Sequence, residues 1–179
     1  SICWVYPPAT TDFIKRAKDR GSKVVLEFIN THTSYSKAVL AEEYARTERV
    51  MVERPHLINE AQDDDRLSLA DAVFTPGKLI GPSIRQYCKN PPVLMPASYG
   101  APLRAPPGDL EDKRRARKFV FVGFDGFRKG LHVLLEAWAR AAIDGELTIV
   151  GGVDPWIQAR YGHFVDHRVK IINFSDDLD

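Results

Sequence analysis

Short apolar runs and segments of helical periodicity alternate along most of the chain. β-branched and aromatic residues dominate the runs, which is typical of buried strands in a parallel sheet. The predicted strands are residues 2–6, 23–29, 72–75, 93–95, 119–122, 147–151 and 169–173, and the predicted helices are residues 11–20, 36–49, 59–69, 78–88, 131–141 and 155–164. This alternation predicts an α/β fold in which parallel sheets carry helices on both faces.

The alternation stops between residues 101 and 117. Prolines and a glycine (Pro102, Pro106, Pro107 and Gly108) precede a cluster of charged residues from Glu111 to Arg117. Such a composition is typical of a linker. We therefore expect a partial N-terminal domain over residues 1–106, a linker over 107–117, and the first part of a second domain over 118–179.

The composition and net charge argue against a disordered chain and against a nucleic-acid partner. Of the 179 residues, 44% are hydrophobic and 27% are charged, which indicates a globular chain. With 25 basic and 24 acidic residues, the net charge of +1 gives no reason to expect a nucleic-acid partner. The basic cluster near Arg115 could be a patch for nucleic acid or anionic lipid, but a solvated linker is the more common case. Cys3 and Cys88 show no metal or disulfide spacing, so a reducing, cytoplasmic location is expected.

One segment combines features that favour phosphate binding. Residues 119–137, FVFVGFDGFRKGLHVLLEA, contain an apolar strand, Gly123, a short loop and an amphipathic helix from Leu131. Arg128 and Lys129 stand where the helix begins, and the N-terminus of a helix favours anions. The spacing matches neither a P-loop nor a dinucleotide fingerprint. From spacing alone, an ordinary strand-to-helix turn with a basic helix start remains an equal alternative.

The same segment, followed by the strand LTIVG, resembles the start of the donor domain of family 4 glycosyltransferases. These are retaining enzymes of the GT-B fold, which consists of two Rossmann-like domains. The resemblance implies a donor that is a nucleotide-diphosphate sugar, held at its diphosphate by Arg128, Lys129 and Gly123. It also implies nucleotide contacts from Gly151, Phe174 and Ser175.

The first part of the chain resembles the same family more loosely, over KDRGSKVVLEFINTH, LADAVFTPGKLIGPSIRQY and PPVLMPASYGAPL. His32 follows a predicted strand, and in the family a histidine of this region faces the reacting sugar. The resemblance therefore implies an acceptor-side catalytic role for His32. The alternative is a loop histidine bonded to the backbone.

Two further clusters contain residue types that bind metals. Asp63, Asp64 and Asp65 contain an Asp-x-Asp pattern, but they lie in a polar helical segment with no apolar strand before them, so exposed helix carboxylates are expected. His163 and His167 are four residues apart, yet no third ligand accompanies them, so we expect surface histidines. No metal and no cofactor are expected.

Taken with the resemblance, these patterns predict a glycosyltransferase that acts on a glycan, lipid or small-molecule acceptor. The alternatives are a nucleotide-sugar epimerase of the same fold and a non-catalytic nucleotide-binding or assembly module. The family's glycine-rich loop and glutamate pair are expected before Ser1 and after Asp179, so the chain should be inactive alone. Peripheral contact with the cytoplasmic face of a membrane is a further expectation.

Overall fold

Two parallel sheets organise the chain in a computed structural model, which describes residues 1–7, 9–50, 60–100, 117–124 and 126–172. The chain divides into two compact units, Ser1–Pro102 and Leu103–Asp179. Each unit has its own sheet, so no strand pairing joins the described strands of one unit to those of the other. Apart from Arg117, the predicted linker over residues 107–117 lies outside the described residues.

In the first unit, strands and helices alternate along the described residues. The strands are β1 (Ile2–Val5), β2 (Lys23–Glu27), β3 (Ala72–Thr75) and β4 (Val93–Pro96), and neighbours in this order pair in parallel. The helices are α1 (Thr11–Asp19), α2 (Thr33–Arg46), α3 (Glu60–Leu69) and α4 (Ile80–Tyr87). The predicted pattern of elements is therefore present, with ends that differ by a few residues.

The core of the first unit lies on one face of its sheet. Alternate strand residues on that face, among them Val24, Leu26 and Val73, are fully buried against residues of α1, α3 and α4. Strand residues of the opposite parity are more open, and Ile2 and Val93 are 75% and 66% exposed. In the first unit, the core shared by α1, α3 and α4 therefore lies on one face of the sheet, whereas the sequence predicts helices on both faces.

Helix α2 begins three residues before the predicted start. Its N-cap is His32, whose Nδ1 accepts a hydrogen bond from the backbone N–H of Ser34 at 3.2 Å. Serine and threonine are among the conventional N-cap residues. An imidazole nitrogen takes that role instead, which moves the helix start to Thr33.

The second unit contains a β-α-β-α-β sequence, as predicted for this region. Its elements are β5 (Lys118–Val122), α5 (Leu131–Ala141), β6 (Glu146–Val150), α6 (Pro155–Tyr161) and β7 (Val169–Ile172), with parallel strand order β5-β6-β7. A 3-10 turn, Gly162–Phe164, follows α6. Asp154 caps α6 by accepting from the N–H of Trp156 at 2.8 Å, and Pro155 occupies the first helical position.

The amphipathic period of α5 fixes how the second unit packs. Leu131, Leu135 and Trp138 recur at helical spacing and are at most 2% exposed. Leu147 and Ile149 of β6 are equally buried. Phe119 adds an edge-to-face contact with Trp138 at a centroid distance of 5.4 Å. None of the helices in the described ranges is long and apolar enough to cross a membrane.

Asp71, which directly precedes β3, forms hydrogen bonds with residues of α1 and β2 and so connects three elements of the first unit. Its carboxylate accepts from the backbone N–H of Val24 at 2.8 Å and from the ammonium groups of Lys18 and Lys23 at 3.2 and 3.1 Å. The bond from Val24, followed by those from the two lysines, lowers the pKa of Asp71 to about 2. Because the pKa is lower in the folded chain, this carboxylate stabilises the fold at pH values above its usual pKa.

We expect Asp71→Asn to lower the free energy of unfolding by about 1 kcal/mol at neutral pH, because the amide keeps the Val24 contact and loses both ionic ones. The stabilisation by Asp71 should decline as the pH falls from about 4 to about 2. Urea unfolding across this range measures both effects, with Asp65→Asn, an exposed carboxylate, as the control. Equal stability of the wild type and Asp71→Asn at neutral pH would contradict the assignment.

Candidate functional site

The candidate site lies at the carboxyl edge of the second sheet, where β5 and β6 are each followed directly by a glycine. The N–H of Gly123 donates to the carbonyl of Val150 at 2.9 Å, and the N–H of Gly151 donates to that of Ile172 at 2.8 Å. Gly151 has φ of +122°, and a Cβ there would collide with the backbone carbonyl of Gly123. Both φ and space therefore require glycine at position 151. In open parallel sheets this edge is where ligands bind.

Lys129 lies directly over Gly123. A Cβ on Gly123 would stand 2.5 Å from Cδ of Lys129 and 3.3 Å from its Nζ, so the missing side chain leaves room for the lysine stem. The ammonium lies 3.5 Å from the carbonyl oxygen of Val122, which is the long limit of a hydrogen bond. The lysine charge is thus brought to the carboxyl end of β5 while remaining at the surface.

The loop between β5 and α5 is closed by its own backbone. Gly130 is the N-cap of α5 with φ of +78°, a conformation that favours glycine, and its N–H donates to the carbonyl of Phe127 at 2.9 Å. The N–H of Leu131, the first of the helix, donates to the carbonyl of Gly126 at 2.7 Å. Arg128 and Lys129 therefore precede the helix cap rather than standing in its first turn, and both are exposed.

An aromatic stack anchors this loop. Phe127 is 3% exposed and stacks on the buried ring of His132, with centroids 4.5 Å apart and planes 11° apart. The ring edge of Trp156 also meets Phe127 at 5.5 Å. Because Phe127 is fixed, the next two residues, Arg128 and Lys129, are held at the surface in a defined place.

Of the three residues predicted to contact the nucleotide, one lies within the described residues and two lie outside them. Gly151 stands at the carboxyl end of β6, beside Gly123, and its contact with a nucleotide stays a prediction. Phe174 and Ser175 lie outside the described residues.

His32 belongs to the first unit and is 1% exposed. Besides capping α2 through Nδ1, it places Nε2 at 3.3 Å from Oδ1 of Asp64 and stacks on Tyr87 with planes 8° apart. Its backbone N–H donates to Oγ of Ser83 at 2.9 Å. Both ring nitrogens thus have partners within the protein, which favours the alternative of a structural histidine bonded to the backbone.

The three consecutive aspartates do not share one environment. Asp64 and Asp65 are exposed, as expected. The same expectation is wrong for Asp63, which is 3% exposed and accepts from the N–H and the hydroxyl of Thr33 at 2.8 and 2.6 Å. Asp63 is buried because it satisfies the start of α2, so its role is structural.

The histidine pair is exposed, as expected, and does not share one helix. His163 lies in the 3-10 turn and His167 follows it. Within the ranges that the structure describes, no three His, Cys, Asp or Glu side chains come together as a metal site.

A buried carboxylate that the sequence did not single out lies at the carboxyl end of β2. Glu27 is 6% exposed and accepts from Nε1 of Trp4 at 3.1 Å and from the hydroxyl of Tyr99. The bond to Glu27 raises the pKa of Tyr99 to about 12. The available signal was a glutamate at the end of an apolar strand.

Arg66 is the second residue that the sequence did not single out. It is 4% exposed and lies at helical spacing among the buried residues Asp63, Leu67 and Ala70, the last of which directly follows α3. The signal was an arginine in the apolar stripe of an otherwise acidic helix. Its side chain lines a pocket of about 330 Å³ together with Pro7, Ala9, Thr10, Thr11, Asp12 and Gln62.

The fold class predicted from the sequence, α/β with two Rossmann-like parallel sheets, is confirmed at the level of the two units. No protein-family profile matches the chain, and no curated protein sequence matches it.

The solved structures that resemble this chain include three whose descriptions mention UDP. One, described as a UDP-N-acetylglucosamine 2-epimerase from Listeria monocytogenes, is 13% identical with a TM-score of 0.49, and the match covers 98% of this chain and 47% of that one. A UDP-glucosyltransferase from Polygonum tinctorium is 16% identical with a TM-score of 0.39, covering 92% and 46%. The protein UGT2 from Phytolacca americana, solved with UDP-2-fluoro-glucose and pterostilbene, is 16% identical with a TM-score of 0.38, covering 92% and 47%.

The chain thus spans about half the length of these proteins. At such identities and TM-scores, the likeness assigns neither a family nor a substrate to the chain.

We expect Gly151→Ala to lower the free energy of unfolding by about 1–3 kcal/mol or more, because the new Cβ meets backbone and the φ value is strained for alanine. Gly152→Ala is the matched control, since a Cβ at the neighbouring position meets nothing within 4 Å. Thermal or urea unfolding of both variants measures the difference. Equal effects at the two positions would show that Gly123 and Gly151 do not approach as described.

Proposed function

We propose that the second unit is the donor-binding part of a glycosyltransferase of the GT-B fold. Such an enzyme transfers a sugar from a nucleotide-diphosphate sugar to a glycan, a lipid or a small molecule. One observation carries the proposal: the ammonium of Lys129 lies over Gly123 at the carboxyl end of β5, just before α5. This is the place and the charge that a diphosphate needs in an open parallel sheet.

The proposed chemistry is electrostatic. As the bond between sugar and diphosphate breaks, negative charge grows on the leaving nucleoside diphosphate, and a fixed cation beside it lowers the barrier. Lys129 supplies that cation, and the preceding residue, Arg128, which is also exposed, supplies a second. The start of α5 adds the positive end of the helix dipole, although the N–H of Leu131 is already bonded to Gly126.

Retention of configuration and membership of family 4 are the finer part of the proposal. They are supported by the residues GFDGFRKG, the following LLEA and the strand LTIVG, which resemble that family's motif. In this proposal two cationic side chains replace a metal ion at the diphosphate, so no cofactor takes part.

The first unit carries the acceptor side in this proposal, on the strength of the looser resemblance. His32 would approach the reacting sugar only if the side chains packed against it, Asp64 and Tyr87, move away. A glycan or lipid-linked acceptor, a cytoplasmic location and a peripheral membrane contact remain predictions.

We expect Lys129→Ala to weaken binding of UDP, the probe nucleotide, by about 10- to 100-fold, because a charge-assisted contact worth about 1.5–3 kcal/mol is lost. Isothermal titration with the 179-residue chain measures this. In a longer protein that contains this chain and transfers sugar, the loss should also appear in turnover, since the contact strengthens as the bond breaks. Arg128→Ala should act in the same direction and non-additively.

Lys118→Ala is the matched control, because it removes the same charge from the opposite end of β5 and should leave UDP binding unchanged. Gly123→Ala is a second variant. The three atoms nearest its Cβ all belong to the Lys129 side chain, which can move aside, so the unit should stay folded while UDP binding falls. Wild-type affinity in both Lys129→Ala and Gly123→Ala would overturn the proposal.

A further inference from the structure

The pocket beside Arg66 lies in the first unit, at the carboxyl end of β1 and the start of α1. Thr10 is the N-cap of α1, and Thr11 and Asp12 begin the helix. All three residues line the pocket. The backbone N–H groups of a first helical turn point away from the helix and carry its positive dipole.

Arg66 brings a second and independent feature to the pocket. Its side chain is more than nine-tenths buried and lines the pocket, and among the residues that the structure describes its Nε atom has no hydrogen-bond partner. Its Nη2 lies 3.4 Å from the carbonyl oxygen of Tyr6, a long contact. A buried guanidinium with few partners is costly unless an anion beside it offsets its charge.

The acidic side chains near Arg66 do not supply the missing partner. Asp63 is the nearby acid, but its Oδ2 is committed to the N–H and hydroxyl of Thr33. Burial lowers the pKa of Arg66, and the attraction of Asp63 offsets this in part. Asp12 is exposed at the mouth of the pocket and forms no ion pair with Arg66 within the described residues.

We propose that this pocket binds the phosphate group of a small phosphorylated molecule. A tetrahedral oxyanion can accept from the Arg66 guanidinium and from the first N–H groups of α1 together, which joins two established modes of phosphate binding. The pocket volume of about 330 Å³ leaves space for an organic part beyond the phosphate. The site lies in the first unit and does not depend on the proposal for Lys129.

Amide chemical shifts test this proposal residue by residue. ¹⁵N-labelled protein is titrated with inorganic phosphate, with glucose 6-phosphate and with glucose, at constant ionic strength. We expect the amides of Thr11 and Asp12 to shift and saturate with the two phosphates and to stay unchanged with glucose. Shifts at Gly123 and Gly130 report separately on the Lys129 site, so the two proposals can fail independently.

Three variants complete the test. Arg66→Gln should weaken phosphate binding at Thr11 and Asp12 by about tenfold or more. Its folding stability should be unchanged or higher, because an incompletely paired buried charge is removed. Arg16→Gln, which removes an exposed charge from the last turn of α1, is the matched control and should bind normally.

Asp12→Asn should bind phosphate more tightly, since it removes a like charge from the pocket mouth while leaving Arg66 in place. The proposal is overturned if phosphate does not shift Thr11 and Asp12, if glucose shifts them equally, or if Arg66→Gln binds phosphate as the wild type does.

Discussion

The close approach of two backbones at Gly123 and Gly151 governs the candidate donor site. Because Gly151 leaves no Cβ against the Gly123 carbonyl, β5 and β6 can end side by side. Because Gly123 itself has no Cβ, the stem of Lys129 can cross the end of β5. Two missing side chains therefore decide where one positive charge is placed. The glycine at position 130, with its positive φ, then turns the chain into α5.

The two units place their cations in different ways. Lys129 is exposed, and its charge costs little to keep at the surface. Arg66 is buried with an incomplete set of partners, so its charge is kept at an energetic cost. An arrangement that is costly in the empty state becomes favourable when an anion completes it. This difference is why Arg66, and not only the helix start beside it, indicates a ligand.

Much of the fold followed from the sequence because local patterns determined it. The apolar period of Leu131, Leu135 and Trp138 set α5, and the β-branched runs set the strands. The chemistry of single residues was harder to foresee, since it depends on distant parts of the chain. Asp63 is buried because Thr33, thirty positions away, needs an acceptor. The roles of Arg66 and Glu27 do not follow from the sequence because parts of their surroundings come from loops and strands far from them along the chain.

A crystal structure of the protein with bound UDP tests the central claim most directly. The account predicts that the diphosphate lies at the carboxyl end of β5, above Gly123, with an oxygen within hydrogen-bond distance of Nζ of Lys129. A diphosphate bound elsewhere, with Lys129 still packed against the Val122 carbonyl, would contradict it.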